Sequence, residues 1–229
     1  MDIPELDLRV GLSSLRGELA RYAERYDLLE LRADPQRLPR LAELRRYKTR
    51  VGTRFVFAVA LPSSIGELNA QPGSNPALSY ALTVADALEA SWLLLQTPAS
   101  VSPSDSCRRR LADLLKGLRD SRRRIAWEPR GVWDPEQAAR FSQELGVALV
   151  CDLTRVPPPP GITASSSGVV YSRFLSLGSA RIRGAALERA AESLRGFREA
   201  YVVMDGPDAA RSARAFRQAA AELGLIASP

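Results

Sequence analysis

Eight short apolar runs, separated mostly by amphipathic segments of helix length, leave this chain very few folds to adopt. The first run is Leu8–Leu12. The others are Leu28–Arg32, Phe55–Ala60, Trp92–Gln96, Ile125–Glu128, Val147–Asp152, Val169–Arg173 and Ala200–Asp205. Runs of four to six residues suit strands, and their nearly unbroken apolar character suits strands covered on both faces. Strand and helix alternating through eight strands is the pattern of an α/β protein of the TIM-like (β/α)8 barrel type. At 229 residues the chain is close to the roughly 250 usual for that fold, so one TIM-barrel-like domain over residues 1–229 is expected.

Helical periodicity fills the gaps at Ser14–Tyr26, Pro35–Tyr47, Pro76–Ala90, Ser104–Ser121, Pro135–Leu145, Ala185–Arg195 and Pro207–Leu223. Asp134 is placed to cap the fifth of these, and Gly146 to end it. The unit after the sixth run is irregular. There the chain reads LTRVPPPPGITASSSG, and four consecutive prolines forbid a helix. The sixth helix of the barrel is therefore expected to be reduced or replaced by a proline-rich loop.

Composition removes several kinds of chemistry. Histidine is absent, which excludes imidazole bases, Ser-His-Asp triads and histidine zinc sites. Acid–base work must then fall to carboxylates, tyrosines or perturbed cations. Cys107 and Cys151 lie in different elements without metal spacing, as free thiols of a cytoplasmic protein would. No uninterrupted apolar stretch reaches membrane-spanning length, and the amino terminus lacks the basic start of a signal peptide, so no membrane partner is expected. The net charge of +6 is carried almost wholly by arginine and permits anionic partners, nucleic acid included. The runs Arg108–Arg110 and Arg122–Arg124 read first as solvated helix surface.

Side chains alternate across a strand, so residues two apart share a face. One parity groups Leu28, Glu30 and Arg32; Leu94 and Gln96; Ala126, Glu128 and Arg130; Val150 and Asp152; Tyr171 and Arg173; Val203 and Asp205. These sets turn polar toward their carboxyl ends, where barrel active sites lie. The other parity, with Leu29, Leu31, Leu93, Leu95, Trp127, Leu149 and Cys151, should pack on the helices.

The polar ensemble carries the candidate site. Glu128, Asp152 and Glu30 are the candidate catalytic acids and bases. Arg130, Arg173, Arg32, Gln96, Trp133 and Asp205 are the candidate substrate-binding groups. Glu128 and Asp152 end neighbouring strands, about 5 Å apart in the hydrogen-bonding direction. Such a pair is suited to acid–base work or to a hard divalent cation, unless an arginine neutralises it. Otherwise the whole ensemble is a set of buried charges that satisfy one another. Trp133 is placed to stack on a sugar or base, or else to pack beneath a lid. Ser13 and Ser14, with no base in reach, suit helix capping or hydrogen bonding to a ligand. The phosphate position of barrels would fall on Leu177–Gly184 and Asp205–Pro207, with Gly178 and Gly206 permitting close approach and Asp205 and Asp208 opposing an anion.

Several of these segments together resemble the YecE-like family, a domain of unknown function with a TIM-barrel-like fold. They are VGLSS at Val10–Ser14, LLELRADPQRLP at Leu28–Pro39, FVFAVALPSSI at Phe55–Ile65 and LLLQTPASV at Leu93–Val101. IAWEPRGVW at Ile125–Trp133, VVYSRF at Val169–Phe174 and YVVMDGPDAARSA at Tyr201–Ala213 complete the set. Glu30, Glu128, Arg130, Trp133, Asp152, Tyr171 and Arg173 match the family pattern. The resemblance implies a lysine where Ala60 stands, an asparagine where Arg32 stands, a histidine after the strand-seven arginine, and a pair of asparagines where Asp205-Gly206 stands. It implies a fold and a polar cluster, and supplies no substrate.

Two functions of different kind follow. One is a hydrolase or lyase acting on an anionic, phosphorylated or sugar-like substrate. The alternative is a catalytically silent module binding an anionic metabolite or nucleic acid, which the changed mouth residues favour. A nucleic-acid-processing barrel ranks below both, because barrel nucleases rely on histidine-bearing metal clusters.

Overall fold

A computed structural model shows a closed barrel of eight parallel strands in the order β1 to β8, with β8 returning to pair with β1. The structure describes residues 6–69, 75–119, 122–155, 157–158, 168–176 and 182–226. The strands are β1 (Asp7–Leu12), β2 (Leu28–Arg32), β3 (Val56–Ala60), β4 (Trp92–Thr97), β5 (Arg124–Pro129), β6 (Ala148–Cys151), β7 (Val169–Leu175) and β8 (Glu199–Asp205). Each coincides with one of the eight apolar runs to within two residues. Asp152 falls one residue beyond β6, in the turn that follows it.

The helices are α1 (Leu19–Ala23), α2 (Leu41–Thr49), α3 (Ser63–Gly66), α4 (Pro76–Ala87), α5 (Asp105–Leu118), α6 (Pro135–Glu144), α7 (Gly184–Glu192) and α8 (Ala209–Glu222). Three differ from expectation. α1 is shorter than Ser14–Tyr26. α2 starts only at Leu41, because Pro39 disfavours the helical conformation of Leu38, and the Asp34 carboxylate instead turns the chain by accepting from the Gln36 amide. α3 is a single turn inside the loop after β3, and its Gly66 lies against β4. A Cβ at Gly66 would sit 1.8 Å from the Gln96 carbonyl oxygen, so only glycine lets this turn rest there. The caps fall as read: Asp134 accepts from the Glu136 and Gln137 amides at the start of α6. Between β6 and β7, residues 152–155 and 157–158 are not helical. The rest of the proline-rich loop lies outside the described residues.

Two apolar layers follow from strand parity. Leu29, Leu31, Leu93, Leu95, Trp127, Leu149 and Cys151 pack outward against the helices. Inside the barrel, Leu28, Ala58, Leu94, Ala126, Val150 and Val203 surround three rings, Trp92, Tyr171 and Tyr201. Trp92 lies 5.1 Å from Tyr171 and 5.0 Å from Tyr201, centroid to centroid, so the interior is a packed core. Cys107 and Cys151 are free, and burial pushes the Cys151 thiol up to about 12. Among the described residues, no helix is long and apolar enough to cross a membrane.

Candidate functional site

Above the inner aromatic layer, the inward parity of four strands delivers one guanidinium and three carboxylates to one place. Arg173 of β7 is 3% exposed. Its Nη1 donates to Glu128 Oε2 of β5 at 2.8 Å, and its Nη2 donates to Asp205 Oδ2 of β8 at 3.0 Å. The same Nη2 is ion-paired with Glu30 Oε1 of β2 at 3.1 Å. Tyr171, one layer deeper on β7, donates its hydroxyl to Glu30 Oε2 at 2.8 Å. Gln96 of β4 is the register partner of Glu128 and donates to Glu128 Oε2 at 2.7 Å. Ser13, the next inward position after β1, donates to Asp205 Oδ1 at 2.7 Å.

The electrical balance of this cluster is uneven. Three acids share one buried cation. Burial disfavours the Arg173 charge, but Glu30, Glu128 and Asp205 outweigh it and hold the guanidinium above its ordinary range. Burial also raises the Glu30 carboxyl. Arg173 and Tyr171 oppose that rise, while Glu128 and Asp205 add to it. Burial likewise lifts the Tyr171 phenol well above its ordinary value, so Tyr171 remains the proton donor to Glu30.

The rim is more open. Arg130 approaches Glu128 Oε1 at 3.5 Å and is half exposed. Arg32 is exposed and donates only a 3.4 Å bond, to the neutral Gln96 Oε1. Arg32 is also the register partner of Ala60. Gly206 follows Asp205 with φ +112, and a Cβ there would lie 2.0 Å from Ser176 Oγ. Ser176 is itself bound to the Asp205 carbonyl, so this turn holds Asp205 tightly at the mouth.

Of the candidate residues, the structure brings together Glu30, Gln96, Glu128, Arg130, Arg173, Asp205 and Arg32. Asp152 is not joined to them by any contact among the described residues. The register of β5 and β6 sets Trp127 beside Leu149, and by extension Arg130 beside Asp152. Asp152 therefore stands two residues above Glu128, about 7 Å along the strand direction, so the expected Glu128–Asp152 pair is not formed. Asp152 instead accepts from Thr154 and is ion-paired with Arg155 at 3.1 Å. Of the two roles open to Trp133, the structure favours packing over stacking on a ligand. The side chain is buried in the helix layer, stacked on Phe141 and edge-on to Trp127, and donates its indole N–H to the Val101 carbonyl at 2.8 Å.

A divalent cation among these acids does not fit. Arg173 already occupies the point on which the carboxylates converge, and the described residues contain no cluster of three or more ligands able to hold a metal. Half of the barrel phosphate position, Leu177–Arg181, lies outside the described residues. The arginine runs are largely engaged elsewhere: Arg108 packs over Trp133, Arg123 pairs with Asp86, and Arg124 pairs with Glu199. Two contributors were not singled out from sequence as parts of this cluster. From sequence, Tyr171 reads as an inward position that matches the family pattern, and Ser13 as a group for helix capping or hydrogen bonding to a ligand.

Comparison with known proteins finds the same fold in solved structures and a family for the sequence. A DUF72 family protein from Enterococcus faecalis superposes with TM-score 0.70 at 18% identity, over 97% of this chain and 99% of that one. A DUF72 family protein from Thermotoga maritima gives TM-score 0.70 at 17% identity, over 93% of this chain and 98% of that one. D-psicose 3-epimerase shares the barrel at TM-score 0.62 and 14% identity, over 95% of this chain and 99% of that one. No curated protein matches the sequence. The sequence matches the family described as protein of unknown function DUF72 across residues 10–228, and the chain belongs to that family.

Proposed function

We propose that the mouth is an acid–base active site of the hydrolase or lyase kind, acting on a small anionic substrate. The observation that carries this reading is the pair Glu128 and Asp205, held on the two amino groups of one buried guanidinium at the carboxyl end of the barrel. Both keep a route to solvent, at 12% and 37% side-chain exposure. Each is therefore able to touch a substrate, one taking a proton while the other returns it. Arg173 fixes their separation and keeps them from repelling each other. Glu30 and Tyr171 lie below and act as positioning residues: they hold Arg173 from beneath and keep water out. The open guanidinium groups of Arg32 and Arg130 supply attraction for the substrate's negative charge.

The test is a turnover screen of the full chain against phosphorylated and carboxylated sugars and aromatic phosphate esters. Glu128→Gln and Asp205→Asn should each lower kcat by about 100-fold or more, while Asp152→Asn leaves it within about threefold. A wild type that turns over no member of the panel removes the proposal. So does Glu128→Gln working at the wild-type rate.

A further inference from the structure

A cleft of about 510 Å³ opens beside the acid cluster, where β2 and β3 give way to their loops. Its walls are Pro35, Pro62, Pro76, Ala77 and the ring of Tyr80, with Arg32 at the seam between cleft and mouth. That volume and lining suit one ring with a few substituents. Prolines and an aromatic ring are rigid, so a flat apolar group can be covered there at little conformational cost.

The polar groups around the cleft are not equally available. Asp34 is held by Arg37 at 3.4 Å and by the Gln36 amide at 2.9 Å. The first amides of α4 are taken too, because Asn75 accepts from Ala77 and Leu78. Arg32 differs from both. Among the described residues no carboxylate lies within ion-pair distance of it, and its 3.4 Å bond goes to a neutral amide. Gln96 in turn donates to Glu128. A ligand that meets Arg32 is thus one side chain away from the acid cluster.

We infer that this cleft takes the ring of an aromatic phosphate or carboxylate, with Arg32 on the anionic group. The inference rests on the active-site reading above and narrows its substrate to ring-bearing anions. Recognition has two separable parts, the ring in the cleft and the charge on Arg32.

The experiment titrates the full chain with phenyl phosphate, inorganic phosphate and phenol, followed by calorimetry or ligand-observed NMR. Phenyl phosphate should bind at least tenfold more tightly than either fragment. Ala77→Trp, which fills the cleft from the first turn of α4, should bring phenyl phosphate down to the affinity of inorganic phosphate. Tyr80→Ala should weaken phenyl phosphate about threefold to tenfold without changing inorganic phosphate, and serves where the tryptophan variant does not fold. Arg32→Gln should bring phenyl phosphate down to phenol. Equal affinities for the three probes overturn the inference, as does an advantage that Tyr80→Ala leaves unchanged or that a folded Ala77→Trp retains. Binding is read without turnover, so the two proposals fail separately. A missing advantage alongside inactive Glu128→Gln removes the cleft and keeps the active site. An intact advantage in a chain with no turnover does the reverse.

Discussion

The two ends of the barrel interior each hold an arginine against carboxylate, in different electrical balance. At the amino-terminal floor, Arg124 of β5 reaches across to Glu199 of β8 with bonds of 2.6 and 3.3 Å. Tyr201 donates to the same carboxylate at 2.8 Å, and Arg124 lies over the Trp92 ring. Here cations are not outnumbered: Arg124 holds the Glu199 carboxyl below its ordinary value, and Arg198 adds to the effect. At the carboxyl-terminal mouth the parts are the same, an arginine, a tyrosine and carboxylates, but three acids crowd one buried arginine. There the Glu30 carboxyl rises. A balanced pair at the floor is a structural fastening. The unbalanced set at the mouth lies at the carboxyl ends of the strands, and on the reading proposed above its surplus carboxylates serve proton transfer.

The widest separation between the two ends should come from removing each arginine. Arg173→Met leaves three acids without their buried cation and should cost about 3–5 kcal/mol of unfolding free energy at pH 7, read by urea titration. Part of that loss should return in acid as the carboxylates gain protons. Arg124→Met, at a half-exposed site, should cost only about 1 kcal/mol. Equal losses would break the distinction.

A smaller but more telling difference lies in pH. Glu30 titrates above its ordinary 4.5 in the fold, so the folded state keeps a proton that the unfolded chain has lost. Its contribution to stability is full below pH 4.5 and declines as pH rises through the raised value. Glu199 titrates below 4.5, so its contribution is present above that value and lost as pH falls through the lowered one. Glu30→Gln should therefore gain on the wild type as pH rises from 4.5 to 7. Glu199→Gln should fall behind by about 1 kcal/mol at pH 7 and converge with the wild type in acid. Parallel curves for the two variants would show that the ends do not differ. The least effect belongs to Arg124→Lys, which keeps the charge and loses the two-pronged bond. It should cost about 0.5 kcal/mol, measurable as a small drop in Tm.

Much of this molecule is legible before any coordinate. A parallel strand covered on both sides must be apolar on both sides, so the eight runs announce themselves. Parity then separates Leu29 and Trp127, which face helices, from Glu30 and Glu128, which face the axis. The same parity turns Arg173 and Asp205 toward the axis. Asp152 shows where parity stops. It has the inward parity of Val150, but parity carries no height, and the β5–β6 register lifts it a layer above Glu128. Trp133 fails for a related reason. Five residues beyond Glu128 it has left the strand, and only packing against Phe141 and Trp127 decides its direction.

Local rules of alternation, capping and burial therefore determine, from the chain alone, the barrel, its two faces and the kinds of groups at its mouth. They act over a few residues at a time. Which acids share Arg173 depends on strands far apart in the chain, Glu30 and Asp205 among them. Only the closure of the sheet and its registers bring those groups to one height. The sequence also names Arg32, Pro62 and Tyr80 without joining them. Their meeting in a cleft beside the acids is a product of how the loops after β2 and β3 fold over the rim.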